Sequence, residues 1–459
     1  MKYYLIGISG IGMSALAFIL KDLGYEVIGS AKEKNHICSL LEKNGIKVIH
    51  GHKEENITKD IDFVVYSSAI KKDHIELKKA KKLSLSLLHR SDLLKDLINL
   101  HKKNILVTGT HGKTTTTSLI SYIFYKAKKK FSSYIGGLVD FLNEKNAILD
   151  KSFEMIICEA DESDKSFLKY SPYYAVISNI DEDHLDFYFS RENIKKNFLK
   201  FINSTSSLGK VFLSLENSFL NENFLKNIKR KFVYISENFN EKLLSNKYLD
   251  YILSYQKKDD KIYLYKNNKF LFSYKLNLPG KHNILNSILA AAVALENNIP
   301  ISTIKESFLN FKNAKRRLEV IFKDENMNIT LIDDYAHHPK ELQATFEALL
   351  ELFKNKDIFA IFQPHRYSRF YKLKEDFLEV LEKYKNHINI FITDIYSAGE
   401  NKDNFNINIK DIAEKLNIKY ITNPNQIPIK PNSVYASIGA GDIHKWLLEL
   451  KEKILSKKL

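Results

Sequence analysis

KKNILVTGTHGKTTTTSLISYIFY, residues 102–125, joins a short apolar strand (ILVT) to a helix with an apolar face through the turn GTHGKT. The run from Gly109 to Thr115 is shorter than the usual GxxxxGK[ST] phosphate loop, because Val107 stands where the first glycine would be. Its chemistry is still that of a triphosphate site. Gly112 and the amides that follow can cradle phosphate, Lys113 can reach the β and γ phosphates, and Thr114 can offer its hydroxyl to Mg²⁺. Gly109, Thr110, His111, Gly112, Lys113, Thr114 and Thr115 are therefore the expected nucleotide-binding set. A lysine followed by four threonines in a buried turn is costly unless an anion occupies it.

Downstream, MIICEADESD, YYAVISNIDEDHLD and VFLSLEN are three apolar strands with polar ends. Such endings place side chains at the carboxyl edge of a parallel sheet, where these folds bind ligands. Glu159, at the end of the first of them, is the metal candidate; taken alone, the acidic run through Asp161, Glu162 and Asp164 reads as a solvated loop. His184, in the run DEDHLD, has three open roles: neutralising charge, ligating metal through a neutral nitrogen, or surface hydrogen bonding. Residues 262–278 read as a hairpin, and PGKHNILNSILAAAVALENN as a closely packed helix with a polar first turn.

Upstream, YYLIGISGIGMSALAFILKDLGYEVIGS reads as strand, glycine turn, helix and strand, with further strands at 48–51 and 62–70. Gly7, Gly10 and Gly12 resemble a dinucleotide turn, but the second strand ends in Gly29, Ser30 and Ala31, without the acid that binds a ribose diol. This weakens a redox reading and leaves two: a phosphate or diphosphate on the amides of the helix start, or a plain tight turn. A third unit begins near residue 315, where ITLIDDYAHHP, IFAIFQPHRYSR, NIFITDIYSAGE and VYASIGAGDIHKW again alternate apolar strand with polar edge. His, Arg and Tyr side chains at the ends of two of these strands suit either recognition of a carboxylate and a sugar or a plain solvated edge; neither segment has HExxH zinc spacing.

The expected fold is α/β, in three consecutive domains: Rossmann-like over 1–98, a P-loop ATPase-like, mostly parallel sheet over 99–312, and Rossmann-like again over 313–459. Of 459 residues, 44% are hydrophobic, enough for several cores, and the two cysteines exclude a disulfide scaffold and a cysteine-built zinc site. Lys and Arg outnumber Asp and Glu by 70 to 55, but the excess is scattered, with no Arg-rich stripe or aromatic-basic repeat, which argues against nucleic acid as the main partner. No stretch of 18 apolar residues and no leader appear, so a cytoplasmic protein without membrane insertion is expected. Glycines are placed unevenly, in pairs at 109 and 112, 136 and 137, and 439 and 441, as at turns where backbone meets backbone or ligand.

Read in order, GISGIGMSALA, GTHGKTTTT, EADESD, NIDEDHLD, HNILN, the Arg316–Arg317 pair, DDYAHHP and QPHRYSR resemble the motifs of the muramyl ligases, the ATP-dependent amide ligases of peptidoglycan synthesis. The resemblance runs from about Lys2 into the third domain, and eight motifs in family order make it specific. It implies ATP and Mg²⁺ as cofactors, UDP-N-acetylmuramate and L-alanine as substrates, and a monomer or weak homodimer. Members adding later amino acids carry a carbamylated lysine fourteen residues beyond the histidine matching His184; here that position is Phe198, consistent with a member adding the first amino acid. A preformed peptide as the incoming amine is the alternative within the family, and a P-loop nucleic-acid or regulatory ATPase the alternative outside it.

By the same resemblance, Gly10, Ile11, Gly12 and Ser67 bind the UDP-sugar, with Ala31 standing where members often have Asp. Thr114, Glu159 and His184 hold metal. Asn283, Arg317 and Asp334 contact the nucleotide, with Asn286 as helix-start support. His337, His338, Arg366 and Arg369 face the carboxylate and the incoming amino acid, so that Lys113, His184, Arg366 and His338 form the expected catalytic set.

Overall fold

The computed structural model describes residues 1–181, 188, 190–214 and 222–456. His184 and most of DEDHLD lie outside the described residues. Among those described, the chain forms three sheets, each covered by helices, in an α/β architecture. It divides into two compact units, Met1–Leu278 with Asn283–Ala314, and Pro279–His282 with Lys315–Leu459.

The first unit holds two sheets. The five-stranded one has the order Lys47–His50, Glu26–Ala31, Lys2–Ile6, Phe63–Tyr66, Ser86–His89, and every pairing is parallel. The central strand is followed by the glycine turn and the helix Ile11–Asp22, whose apolar face from Met13 to Leu20 is buried. The larger sheet has ten strands, centred on Lys103–Thr108 between Tyr174–Ile177 and Met155–Glu159. Its central strands are parallel, and the hairpin expected from the sequence closes one edge as Lys261–Lys266 and Lys269–Tyr274.

Burial on both faces explains why the central strands are apolar runs and not alternating ones. Ile105, Leu106 and Val107 are all fully buried, each contributing about 1.5–3 kcal/mol. The helix Lys281–Glu296 shares a core with this sheet and is buried nearly all round, Ala290, Ala291 and Ala292 being fully buried on successive faces. Thr108 lies beside Ile177 and Val107 beside Glu159 in the register, so both polar strand ends reach the rim where the Gly109–Thr115 loop begins.

The second unit carries a six-stranded sheet in the order Glu319–Asp324, Ile329–Asp334, Ser433–Ile438, Asp357–Phe362, Asn389–Ile392, Lys419–Tyr420. Its first strand is antiparallel, an edge added to an otherwise parallel sheet. Both cysteines are free and buried. No helix among the described residues is long and apolar enough to cross a membrane.

Candidate active site

The phosphate loop is shaped by two glycines that no other residue replaces without strain. Gly109 has φ +138°, and Gly112, which caps the helix Lys113–Lys126, has φ +79°. A Cβ on Gly112 would stand 2.6 Å from Asn286 Oδ1, which accepts from the Thr116 hydroxyl at 3.1 Å. Gly112→Ala is therefore expected to cost about 1–2 kcal/mol of stability and to weaken ATP binding at least about tenfold, since an anion here depends on the loop's amides; chemical denaturation and nucleotide titration check the two. Asn283 is 3% exposed and its Oδ1 accepts from Asn286 Nδ2 at 3.2 Å. The side chain expected at the adenine thus also braces the loop.

Lys113 Nζ donates to the carbonyls of Gly109, at 2.7 Å, and Thr110, at 3.1 Å, and meets both oxygens of Glu162 at 3.0 Å. Glu162 is 3% exposed, and burial pushes its carboxyl up to about 8 despite the Lys113 charge. Burial works against the Lys113 charge too, but Glu162, Glu159 and Asp161 outweigh it and keep the ammonium protonated. The acidic run is thus no solvated loop. Asp161 pairs with Arg90 at 3.2 Å, and Asp164 accepts from the Ser68 hydroxyl at 2.7 Å. Burial alone would raise the Asp161 carboxyl; the Arg90 and Lys113 cations hold it at about 2. A solvated surface requires charges to lack partners within the fold, and here each acid found one contributed by a distant segment.

Glu159 Oε2 accepts from Thr114 Oγ1 at 2.9 Å and from the Gly136 amide at 3.0 Å. A Cβ on Gly136 would stand 2.4 Å from the same oxygen, and one on Gly137 3.1 Å from Thr114, so the glycine pair lets the backbone wrap this contact. A carboxylate and a hydroxyl side by side at the loop mouth are hard oxygen donors, the set that Mg²⁺ takes. Thr115 is buried behind them.

Several polar contacts here lie outside the residues singled out above. Asn179 accepts from the His111 amide at 2.9 Å and donates to its carbonyl at 2.8 Å, fixing the loop from the neighbouring strand end. A polar residue just after an apolar strand was the signal that marked Glu159, and it applies equally to Asn179. Arg90, which opens the helix Arg90–Asn99, had no such signal. Its guanidinium lies 3.4 Å from the Tyr134 hydroxyl, which donates to the Gly12 carbonyl at 3.2 Å. A Cβ on Gly12 would stand 2.7 Å from that hydroxyl and 2.8 Å from Arg90 Nη1. Asn146 donates to the Ile11 carbonyl at 2.6 Å. The turn holding Gly10, Ile11 and Gly12 is thereby tied to the second sheet, and Ser67 stands at its own sheet's rim, half-buried.

In the second unit, Asp334 is buried and accepts from the amides of Leu318 and Ala336 and from the Thr345 hydroxyl, at 2.8, 2.9 and 3.0 Å. Arg316 pairs with Asp333 at 2.8 Å and donates to the Gly439 and Gly441 carbonyls, so it organises the glycine turn, whereas Arg317 is looser, 3.9 Å from Glu341. His338, 4% exposed, caps the helix Pro339–Leu352 through Nδ1, which accepts from the Lys340 amide, while Glu341 accepts from the His337 and His338 amides. Arg366 is exposed, with φ +68°, and Arg369 Nη1 lies 3.3 Å from His365 Nδ1. His337 and His365 approach each other with ring centroids 6.1 Å apart.

Burial first, and Arg369 and Arg317 next, hold the His337 imidazole down at about 4. Between that value and about 6.5 the unfolded chain binds a proton that the folded one does not, so stability falls as pH drops through this window. His337→Asn, whose amide can still donate to the Tyr335 carbonyl, is expected to lose about 2 kcal/mol less than wild type between pH 7 and 4.5. Trp446, the single tryptophan, lies in this unit and reports its unfolding by fluorescence.

A phosphate loop at the rim of a mostly parallel sheet, with a carboxylate beside it, defines a nucleotide-dependent enzyme. The chain belongs to the Mur ligase family: residues 2–102 match the model described as Mur ligase family, catalytic domain, residues 107–294 the Mur ligase middle domain, and residues 316–433 the Mur ligase glutamate ligase domain. It is 38% identical to the UDP-N-acetylmuramate--L-alanine ligase of Aquifex aeolicus, over 99% of this chain and 98% of that one. Against the enzyme of the same name from Brachyspira hyodysenteriae it is 37% identical, with the same coverage. Among solved structures, the UDP-N-acetylmuramate-alanine ligase of Thermotoga maritima superposes with a TM-score of 0.82 at 27% identity, covering 100% of both chains. A murein peptide ligase from Psychrobacter arcticus, at 20% identity and TM-score 0.72 over 98% of both chains, shares the fold.

Proposed function

We propose that this chain joins L-alanine to the lactyl carboxylate of UDP-N-acetylmuramate at the expense of ATP, a step of peptidoglycan synthesis. The observation that carries the reading is the Lys113–Thr114–Glu159 arrangement at the phosphate loop, in a chain aligned almost end to end with ligases of that name. A carboxylate is a poor electrophile; transfer of the γ phosphoryl group makes it an acyl phosphate, which the alanine amine attacks with loss of phosphate. Lys113 offsets charge on the moving phosphoryl group. Thr114 and Glu159, with His184, hold Mg²⁺, which neutralises phosphate charge when bound.

Gly10, Ile11, Gly12 and Ser67 serve the UDP-sugar. Asn283, Arg317 and Asp334 serve the nucleotide. Arg366 and Arg369, with the His337–His338 segment, serve the carboxylate and amine. The family division of labour supports domains over 1–98, 99–312 and 313–459. Phe198, 1% exposed and packed on Phe167, supports a member without the carbamylated lysine. The setting is the cytoplasm, where both ATP and the nucleotide-sugar are present, and the chain acts as a monomer or weak homodimer with no nucleic-acid partner.

Product formation measured in parallel with L-alanine and with a tripeptide beginning in L-alanine tests the reading; preference for the tripeptide would sink it. Arg366→Ala is expected to raise KM for L-alanine or the UDP-sugar at least about tenfold, with MgATP binding within about twofold of wild type. Steady-state kinetics and equilibrium nucleotide titration make the comparison.

A further inference from the structure

The carboxyl edge of the first sheet carries a group of metal-ligating side chains that has no part in the ligation chemistry proposed above. His52 lies just beyond the strand Lys47–His50, and His74 and Glu76 open the helix Ile75–Lys82. One ligand atom from each lies within 4.8 Å of the others. Glu76 is fully buried, and its carboxylate is held by three donors from elsewhere: the Tyr4 hydroxyl at 2.8 Å, the Ser30 hydroxyl at 2.7 Å and Asn56 Nδ2 at 2.7 Å. His52 Nδ1 stands 3.1 Å from the same carboxylate.

The two imidazoles meet edge to face, with centroids 4.7 Å apart, and His74 Nδ1 is buried with no hydrogen-bond partner among the described residues. The His52 side chain is 20% exposed, which leaves a path for an ion and a water ligand.

We propose that His52, His74 and Glu76 bind one divalent transition-metal ion of the zinc class, clasping the loop after the third strand to the helix at Ile75. Two imidazoles and one carboxylate, with water in the fourth position, form a borderline donor set that suits this class over Mg²⁺. Tyr4, Ser30 and Asn56 already orient the carboxylate, as outer partners do around ligating side chains. Bonds of about 2 Å place ligand atoms roughly 3.4 Å apart, so binding draws the three side chains closer together. The site is separate from the phosphate loop, whose Thr114 and Glu159 offer only oxygen.

The test uses the full chain, free of any affinity tag, stripped of metal and titrated with Co²⁺ in excess Mg²⁺. One equivalent is expected to develop the visible absorption of a four-coordinate site and to be displaced by Zn²⁺. His74→Asn, which removes no hydrogen bond at Nδ1, is expected to bind Co²⁺ at least about tenfold more weakly, and Asn56→Ala to weaken it measurably through the carboxylate. Zn²⁺ should raise the thermal midpoint of wild type and not of His74→Asn. Absence of saturable Co²⁺ uptake by wild type, or less than tenfold weakening in a folded His74→Asn, overturns the proposal.

Discussion

Lys113→Ala should lower formation of both acyl phosphate and amide by about 10³-fold or more, the scale on which a cation at a transferring phosphoryl group acts. The ammonium sits between the Gly109 and Thr110 carbonyls and Glu162, held at the loop mouth by contacts that an incoming phosphate can replace. Truncation leaves Glu162 buried without its cation, and since burial has already brought that carboxyl to about 8, it takes up a proton instead of unfolding the site. Adding Glu162→Gln should restore stability lost by the single variant without restoring turnover. Rapid-quench trapping of the acyl phosphate with denaturation curves for both variants makes the measurement; near-wild-type turnover in folded Lys113→Ala would contradict the assigned role.

Glu159→Ala should lower kcat by about 10²–10³-fold and raise the Mg²⁺ concentration needed for half-maximal rate. Its Oε2 gathers the Thr114 hydroxyl and the Gly136 amide, so the truncation removes the oxygen proposed to hold metal and releases two donors that the fold aims at it. Glu159→Gln separates these effects, because the amide oxygen still accepts from Gly136 while the charge is gone. If the charge carries the metal function, the Gln variant loses rate nearly as severely as the Ala variant while its stability stays close to wild type. Rate profiles against Mg²⁺ distinguish this from a purely structural part, for which Gln would rescue both.

The alternation of strand and helix was legible because it is local: apolar runs ending in polar residues, glycines at the turns, and a helix rich in alanine. The strand-to-helix turn at Gly109–Thr115 and the polar strand end at Glu159 were legible for the same reason. What the sequence hid depends on sheet order. Asn179 reaches His111 because Lys103–Thr108 pairs with a strand that begins some seventy residues later, and Asp161 reaches Arg90, which stands beside a different sheet. No periodicity within a window encodes which strand becomes a neighbour. The acidic run misled for this reason: its charge suggested solvent, while its partners, Lys113, Arg90 and Ser68, came from segments far off in the chain. His338 carries a second part that its motif did not announce, since a histidine that caps a helix is recognised only once the helix start is placed.

The Arg90–Tyr134–Gly12 contact bears on how freely such enzymes can be recombined. Arg90 and Gly12 come from the first hundred residues, Tyr134 and Asp161 from the next segment; a single added methyl group at Gly12 would collide with Tyr134 and Arg90, and Asp161 pairs with that same arginine. A chimera that grafts the first sheet of a relative onto the remainder of this chain must therefore carry over matching residues at 134 and 161, or the seam will hold an unpaired guanidinium. The portable module ends beyond the sheet boundary, at the side chains that read the graft from the other side.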